Sequence, residues 1–85
     1  MATVTMYCTG TCPYCIGAEK LLAQRGVTSI RKIRVDLDPA QRVVMIERTG
    51  RYTVPQIYIG NRHIGGFDDL SALDREEGLR PLLAA

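Results

Sequence analysis

Tryptophan is absent from this chain of 85 residues, phenylalanine occurs once, proline occurs four times, and the formal net charge is only +2. No block of basic residues tracks along it of the kind that reads a phosphate backbone, so nucleic acid is not an expected partner. No apolar run approaches the roughly 20 residues that a membrane span needs. Nor does the N-terminus show a charged region followed by a long apolar stretch. These absences predict a cytoplasmic protein without membrane association. Repeats, linkers and low-complexity segments are lacking too, and the length fits one small domain over residues 1–85. An apolar content of 46% suffices to build one core at that size.

What is present in an unusual arrangement is cysteine. The three cysteines, Cys8, Cys12 and Cys15, crowd into one short stretch. Such crowding does not staple distant parts of a secreted chain, so it points to chemistry. Three readings compete: a redox pair with a bystander, a metal site, and an iron-sulfur site. Placement favours the first. Cys12-Pro13-Tyr14-Cys15 stands where a strand gives way to a helix-periodic run. A thiol at a helix N-terminus faces unpaired N–H groups and the positive end of the macrodipole, which favour thiolate.

The remaining pattern alternates strands and helices. Residues 3–7 read as a strand with Val4 and Met6 on one face. A helix follows, with Pro13 in its first turn, an apolar stripe of Ile16, Leu21 and Leu22, and a stop at Gly26. Residues 31–37 alternate Ile33, Val35 and Leu37 with polar neighbours, giving a second strand parallel to the first in a βαβ unit. Asp38 caps a second helix with Pro39 at its first position, Val43, Val44 and Ile46 on its buried face, and Gly50 as its end. Gln56 to Ile59 and His63 to Ile64 flank Gly60-Asn61, the signature of an antiparallel hairpin. A last helix starts near Asp68, with Leu70 and Leu73 inward, and Gly78 separates it from a short tail.

This order, with Cys-x-x-Cys at the first strand-to-helix junction, outlines an α/β protein of thioredoxin-like fold, a four-stranded mixed sheet flanked by helices. The chain resembles the dithiol glutaredoxins of the small bacterial type along essentially its whole length. Three separated segments carry the likeness: Cys12-Pro13-Tyr14-Cys15, Thr53-Val54-Pro55, and Gly65-Gly66 followed by Asp68-Asp69. The resemblance implies a glutathione-dependent thiol-disulfide oxidoreductase, monomeric, with no bound cofactor and with glutathione as co-substrate. Its partners would be disulfide-containing or glutathionylated proteins.

Cys12 is then the expected nucleophile, since helix N-terminal cysteines reach pKa values of roughly 3.5 to 7.5. Cys15, on the same helical face, is the expected resolving thiol, and the two form the redox-active disulfide. Pro13 presets the loop and tunes disulfide against dithiol. Tyr14 is implied to flank a glutathione groove. A cis Val54-Pro55 bond is expected to turn the Val54 backbone outward, where the family receives the cysteinyl part of glutathione as an added strand. Thr53 is implied as a rim contact. The Asp68 region and Gly66 would receive the γ-glutamyl carboxylate on backbone N–H groups, with Asp69 or Asp68 pairing with its ammonium.

Two features depart from the family. Thr9 stands where many relatives carry a lysine that meets glutathione's glycine carboxylate, so Arg51 is expected to supply that charge. Cys8 is read as a small half-buried residue, with an auxiliary thiol as the alternative. Phe67 is expected to form a groove wall.

Cys8, Cys12 and Cys15 match the spacing of cluster cysteines in radical adenosylmethionine enzymes, but those need a far larger barrel. A zinc site of the three cysteines with His63 is disfavoured because His63 should face solvent beside the hairpin turn and Pro13 stiffens the loop. A glutathione-ligated [2Fe-2S] dimer is an alternative, which Pro13 after the nucleophile counts against. Another is a glutaredoxin-like electron donor reduced by thioredoxin reductase, to which the missing lysine lends support.

Overall fold

A computed structural model of the chain describes residues 2–84. Strand β1 (Val4–Cys8) lies parallel to β2 (Arg31–Arg34), with Tyr7 opposite Ile33. It lies antiparallel to β3 (Gln56–Ile59), with Met6 opposite Ile57, and β3 forms a hairpin with β4 (Arg62–Gly65). The sheet order β2-β1-β3-β4 is the mixed four-stranded sheet expected from the sequence. Helix α1 (Pro13–Gln24) joins β1 to β2, α2 (Pro39–Thr49) joins β2 to β3, and α3 (Phe67–Arg75) and α4 (Leu79–Ala84) complete the chain. None of the described helices is long and apolar enough to cross a membrane.

Strand alternation sends side chains to two cores. Val4, Met6 and Cys8 from β1 and Ile57 and Ile59 from β3 meet Ala18 and Leu22 of α1, Leu70 of α3 and Leu79 and Leu83 of α4. On the other face Tyr7 and Tyr58 meet Val35 and Met45. Each fully buried large side chain contributes roughly 1.5–3 kcal/mol relative to exposure. The larger core therefore fixes α1 and α3 against the sheet. At their far ends Arg25 makes two hydrogen bonds to Asp74, at 2.6 and 2.7 Å.

Local signals act where the sequence placed them. Asp38 accepts the Ala40 N–H at 3.2 Å and Gly50 ends α2 in a left-handed conformation, φ +70°. Gly60, φ +60°, turns the hairpin. The buried faces differ from expectation in two helices. Ile16 is 49% exposed, because the seam of α1 runs through Cys15, Ala18 and Leu22. In α2 the expected Val43, Val44 and Ile46 are all exposed, and Met45 alone is fully buried. The contact stripe there is Gln41, Met45 and Thr49, one ridge spaced by four, so the valines and isoleucine flank it on the solvent side.

Strand boundaries shift as well. β1 runs one residue later than residues 3–7, and β2 stops at Arg34 instead of reaching residue 37. Val35 still donates its N–H to Cys8 O at 3.0 Å. Beyond it β1 has no more ladder to offer, and the chain turns as Leu37 and Asp38 N–H groups bond Arg34 O. Leu37 is left 71% exposed.

Candidate active site

The first residues of α1 decide the geometry. Pro13 occupies the first helical position, where its missing N–H costs no hydrogen bond, and Cys12 is the cap. Cys12 Sγ accepts the Cys15 N–H at 3.3 Å, so the sulfur stands where the helix presents its unpaired donors. Its thiol also lies 3.7 Å from the Val54 carbonyl. All three cysteines are free thiols, but only Cys12 is half-buried; Cys8 and Cys15 are each 3% exposed.

Burial separates the thiols chemically. The Cys15 thiol is pushed up to about 12, first by desolvation and then by its hydrogen bond with Cys12, against a smaller opposing pull from the Thr9 backbone. Burial also raises Cys8, partly opposed by the Lys32 and Arg34 charges. Both remain neutral near neutral pH. Cys8 is thus a core residue, packed with Val4, Met6 and Cys15.

Across from Cys12, the residues that sequence reasoning singled out converge on one groove of about 250 Å³. Tyr14, 63% exposed, forms one wall with Phe67, their ring centroids 6.4 Å apart. Thr53, Val54 and Pro55 form the rim, and the Val54-Pro55 peptide is cis as expected. Arg51, Gly66, Asp68 and Asp69 line the groove as well. Helix α3 starts at Phe67, one residue earlier than expected, because Asp69 Oδ2 accepts the Gly66 N–H at 2.9 Å and closes its first turn.

Arg51 and Asp69 are joined. Arg51 donates to Asp69 Oδ2 at 2.8 Å, and this guanidinium, followed by the Gly66 N–H, holds the Asp69 carboxyl below its ordinary range. Gly65 permits the closeness: its φ is +117°, and a Cβ there would run into Asp69 and lie 2.9 Å from Arg51.

Three features of the site escaped sequence reasoning. Arg34 grips Asp36 through two bonds of 2.8 and 2.7 Å, and Asp36 Oδ2 accepts the Gly10 N–H at 3.3 Å. That clamp holds the segment before Cys12, and a Cβ on Gly10 would come within 2.5 Å of the Arg34 guanidinium. Gln56 also lines the groove, buried to 1% exposure. His63, expected to face solvent, is half-buried instead: its Nε2 bonds Gln56 Oε1 at 2.7 Å and its ring lies against Tyr58 at 5.1 Å. Tyr58 belongs to the core on the face opposite Cys8 and Cys15, so His63 is not placed to share a zinc ion with them. Among the described residues no group of three or more His, Cys, Asp or Glu is placed to hold a metal ion.

Comparison with known proteins bears directly on this arrangement. A family model described as glutaredoxin matches residues 4–64. The chain is 53% identical to glutaredoxin 3 of Escherichia coli strain K12 over 83 residues, which cover 98% of this chain and 99% of that one. It is 46% identical over 85 residues to a glutaredoxin of Pseudomonas aeruginosa, with both chains fully covered. Among solved structures, a glutaredoxin from Brucella melitensis superposes with a TM-score of 0.84 at 46% identity, covering 98% of this chain and 89% of that one. A buckwheat glutaredoxin-glutathione complex superposes with a TM-score of 0.89 at 30% identity, covering 98% and 77%. Likeness of this extent in sequence and in backbone leaves one conclusion: the chain belongs to the glutaredoxin family and is a thiol-disulfide oxidoreductase.

Proposed function

We propose that the chain reduces protein disulfides and glutathionylated proteins by exchange at Cys12, with glutathione as co-substrate. One observation carries the assignment of roles: of three thiols, only Cys12 is open to a colliding disulfide, and it faces the donor end of α1 beside the groove. A negative sulfur is the attacking species, and the Cys15 N–H and the helix end stabilise charge there.

In deglutathionylation, Cys12 thiolate attacks the glutathione sulfur of a mixed disulfide and the protein thiolate leaves, taking a proton from solvent. A second glutathione thiolate then attacks the glutathione sulfur on Cys12, releasing oxidised glutathione and restoring Cys12. In reduction of a protein disulfide, Cys12 forms the mixed disulfide and Cys15, on losing its proton, attacks the Cys12 sulfur. The substrate leaves as a dithiol, and two glutathiones reduce the Cys12-Cys15 bond. The elevated Cys15 thiol leaves the first attack to Cys12, because a neutral thiol does not compete for the substrate disulfide.

The groove residues take the roles that the family resemblance implies. Val54 and Pro55 present backbone to the cysteinyl part, with Thr53 and Tyr14 at its edges. Arg51 meets the glycine carboxylate. Gly66 and Asp68 receive the γ-glutamyl carboxylate through N–H groups, and the ammonium pairs with Asp68 or with the Oδ1 of Asp69, whose Oδ2 serves Arg51 and Gly66. The buckwheat relative, crystallised with glutathione, supports this reading. The chain acts as a monomer in the cytoplasm, where thiols are kept reduced.

Cys12→Ser should abolish both activities. Cys15→Ser should retain release of glutathione from a glutathionylated peptide while losing glutathione-driven reduction of a protein disulfide. Equal loss in the two variants contradicts the roles.

A further inference from the structure

Gln56 is a polar side chain in the interior of a small core, and both ends of its amide are used. Its Nε2 donates to the Thr53 carbonyl at 3.0 Å and reaches Thr53 Oγ1 at 3.4 Å. A carbonyl only accepts, so the amide nitrogen points to Thr53 and Oε1 points to His63. That oxygen only accepts as well, and His63 Nε2 therefore carries the hydrogen of their 2.7 Å bond.

The histidine is itself held. Its ring lies on Tyr58, whose neighbours include the Arg48 guanidinium, 4.2 Å from the ring centroid, and Tyr7, at 6.4 Å between centroids. Arg48 in turn donates to the Tyr7 hydroxyl at 2.9 Å. A line of contacts thus runs from α2 through Tyr58, His63 and Gln56 to Thr53. The next residue, Val54, offers its carbonyl to Cys12 Sγ. Burying an amide costs free energy unless every donor and acceptor is paired, and an aliphatic side chain here would simply extend the Tyr7, Tyr58 and Met45 core.

We propose that Gln56 and His63 are positioning residues, a strut that sets the Thr53-Val54-Pro55 rim at the height where a substrate cysteine pairs with it over Cys12. The inference rests on the reading that glutathione lies along this rim. The strut is indifferent to the charge of His63, because Nε2 donates in both the neutral and the protonated ring. The ring's charged neighbours, Arg48 on α2, Arg51 before the rim and Asp69 on α3, therefore do not switch it.

The test compares Gln56→Leu, Gln56→Glu, His63→Leu and His63→Gln with the parent protein. Gln56→Glu keeps an acceptor for His63 but cannot donate to Thr53, and His63→Gln keeps a donor for Gln56. Two quantities are read: KM and kcat for a glutathionylated peptide, and the rate of Cys12 alkylation by iodoacetamide, which needs no groove. In the first three variants KM should rise about fivefold or more, with kcat and alkylation within about twofold; in His63→Gln all should stay within about twofold. Unchanged KM in folded Gln56→Leu or His63→Leu overturns the strut, as does a parallel fall of kcat and alkylation. Should Gln56→Leu not fold, His63→Leu carries the comparison. The underlying reading is checked apart from these, in Cys15→Ser with Gln56 and His63 intact, where no second thiol resolves the adduct: a glutathione mixed disulfide on Cys12 should shift the Thr53 and Val54 amide resonances. Unshifted amides overturn the groove reading, whereas shifted amides with unmoved KM overturn the strut alone.

Discussion

Identical thiols become different reagents through their surroundings. Cys12 caps a helix at the surface and Cys15 sits one turn inside, beside Ala18 and Leu22. With Cys15 pushed up to about 12, and Cys8 raised by its own burial, only Cys12 should be modified by iodoacetamide near neutral pH. Peptide mass spectrometry of the reduced protein at short reaction times checks this, and comparable labelling of Cys15 would show that burial does not protect it. The spacing of the pair identified both residues in the sequence. Their inequality was legible only in part, because the desolvation of Cys15 comes from residues distant in the chain, such as Ile57 and Leu70.

Among the elements, α2 shows how a helix can be recognised while its buried side is misread. Its cap, its first proline and its terminal glycine act within a few residues of chain, so its limits were evident. Its seam was not, since Val43, Val44 and Ile46 are more apolar than the Gln41 and Thr49 that flank the buried Met45. Met45→Ala should cost roughly 2–5 kcal/mol in urea unfolding. Val43→Ala, on the exposed side, should cost less than about 0.5 kcal/mol. The reverse order would mean that α2 docks on another face. At the β4-α3 junction, Gly65→Ala should destabilise by about 1 kcal/mol or more, because its φ of +117° is strained for alanine and the added carbon collides with Asp69. A circular dichroism melt compared with the parent protein measures it.

For the molecule as a whole, shifted groups define a pH window. Asp36 is lowered to about 2 by Arg34 first, and Asp69 and Asp74 are lowered chiefly by Arg51 and Arg25. The folded chain releases these protons more readily than the unfolded one, so their contribution is present above the ordinary 3.8 and lost as pH falls. His63 is depressed from 6.5 by burial first and then by Arg51, and acts in the same sense: below 6.5 the unfolded chain takes a proton that the folded chain resists. Cys8 and Cys15 act oppositely. Their contribution is full below the ordinary 9.0 and declines as pH rises toward the folded-state values. The urea midpoint of the reduced protein should therefore be highest between 6.5 and 9.0 and fall on both sides. In the Cys12-Cys15 disulfide form, where Cys15 no longer titrates, the alkaline decline should be smaller. An equal decline in both forms would remove Cys15 as its source.

The order of strands and helices and the Cys12-Cys15 pair could be read from the chain alone, because capping, turn formation and motif spacing operate between near neighbours, whereas the groove residues were reached through the likeness to a family. Burial is settled by whatever lies across an interface. The shielding of Cys15 and Cys8, the narrow seam of α2, the Arg34-Asp36 clamp on Gly10 and the Gln56-His63 strut therefore exist only once the sheet has brought separate segments together. Local sequence set the paired thiols at the start of α1, and long-range packing decided which sulfur is exposed and what holds the rim beside it.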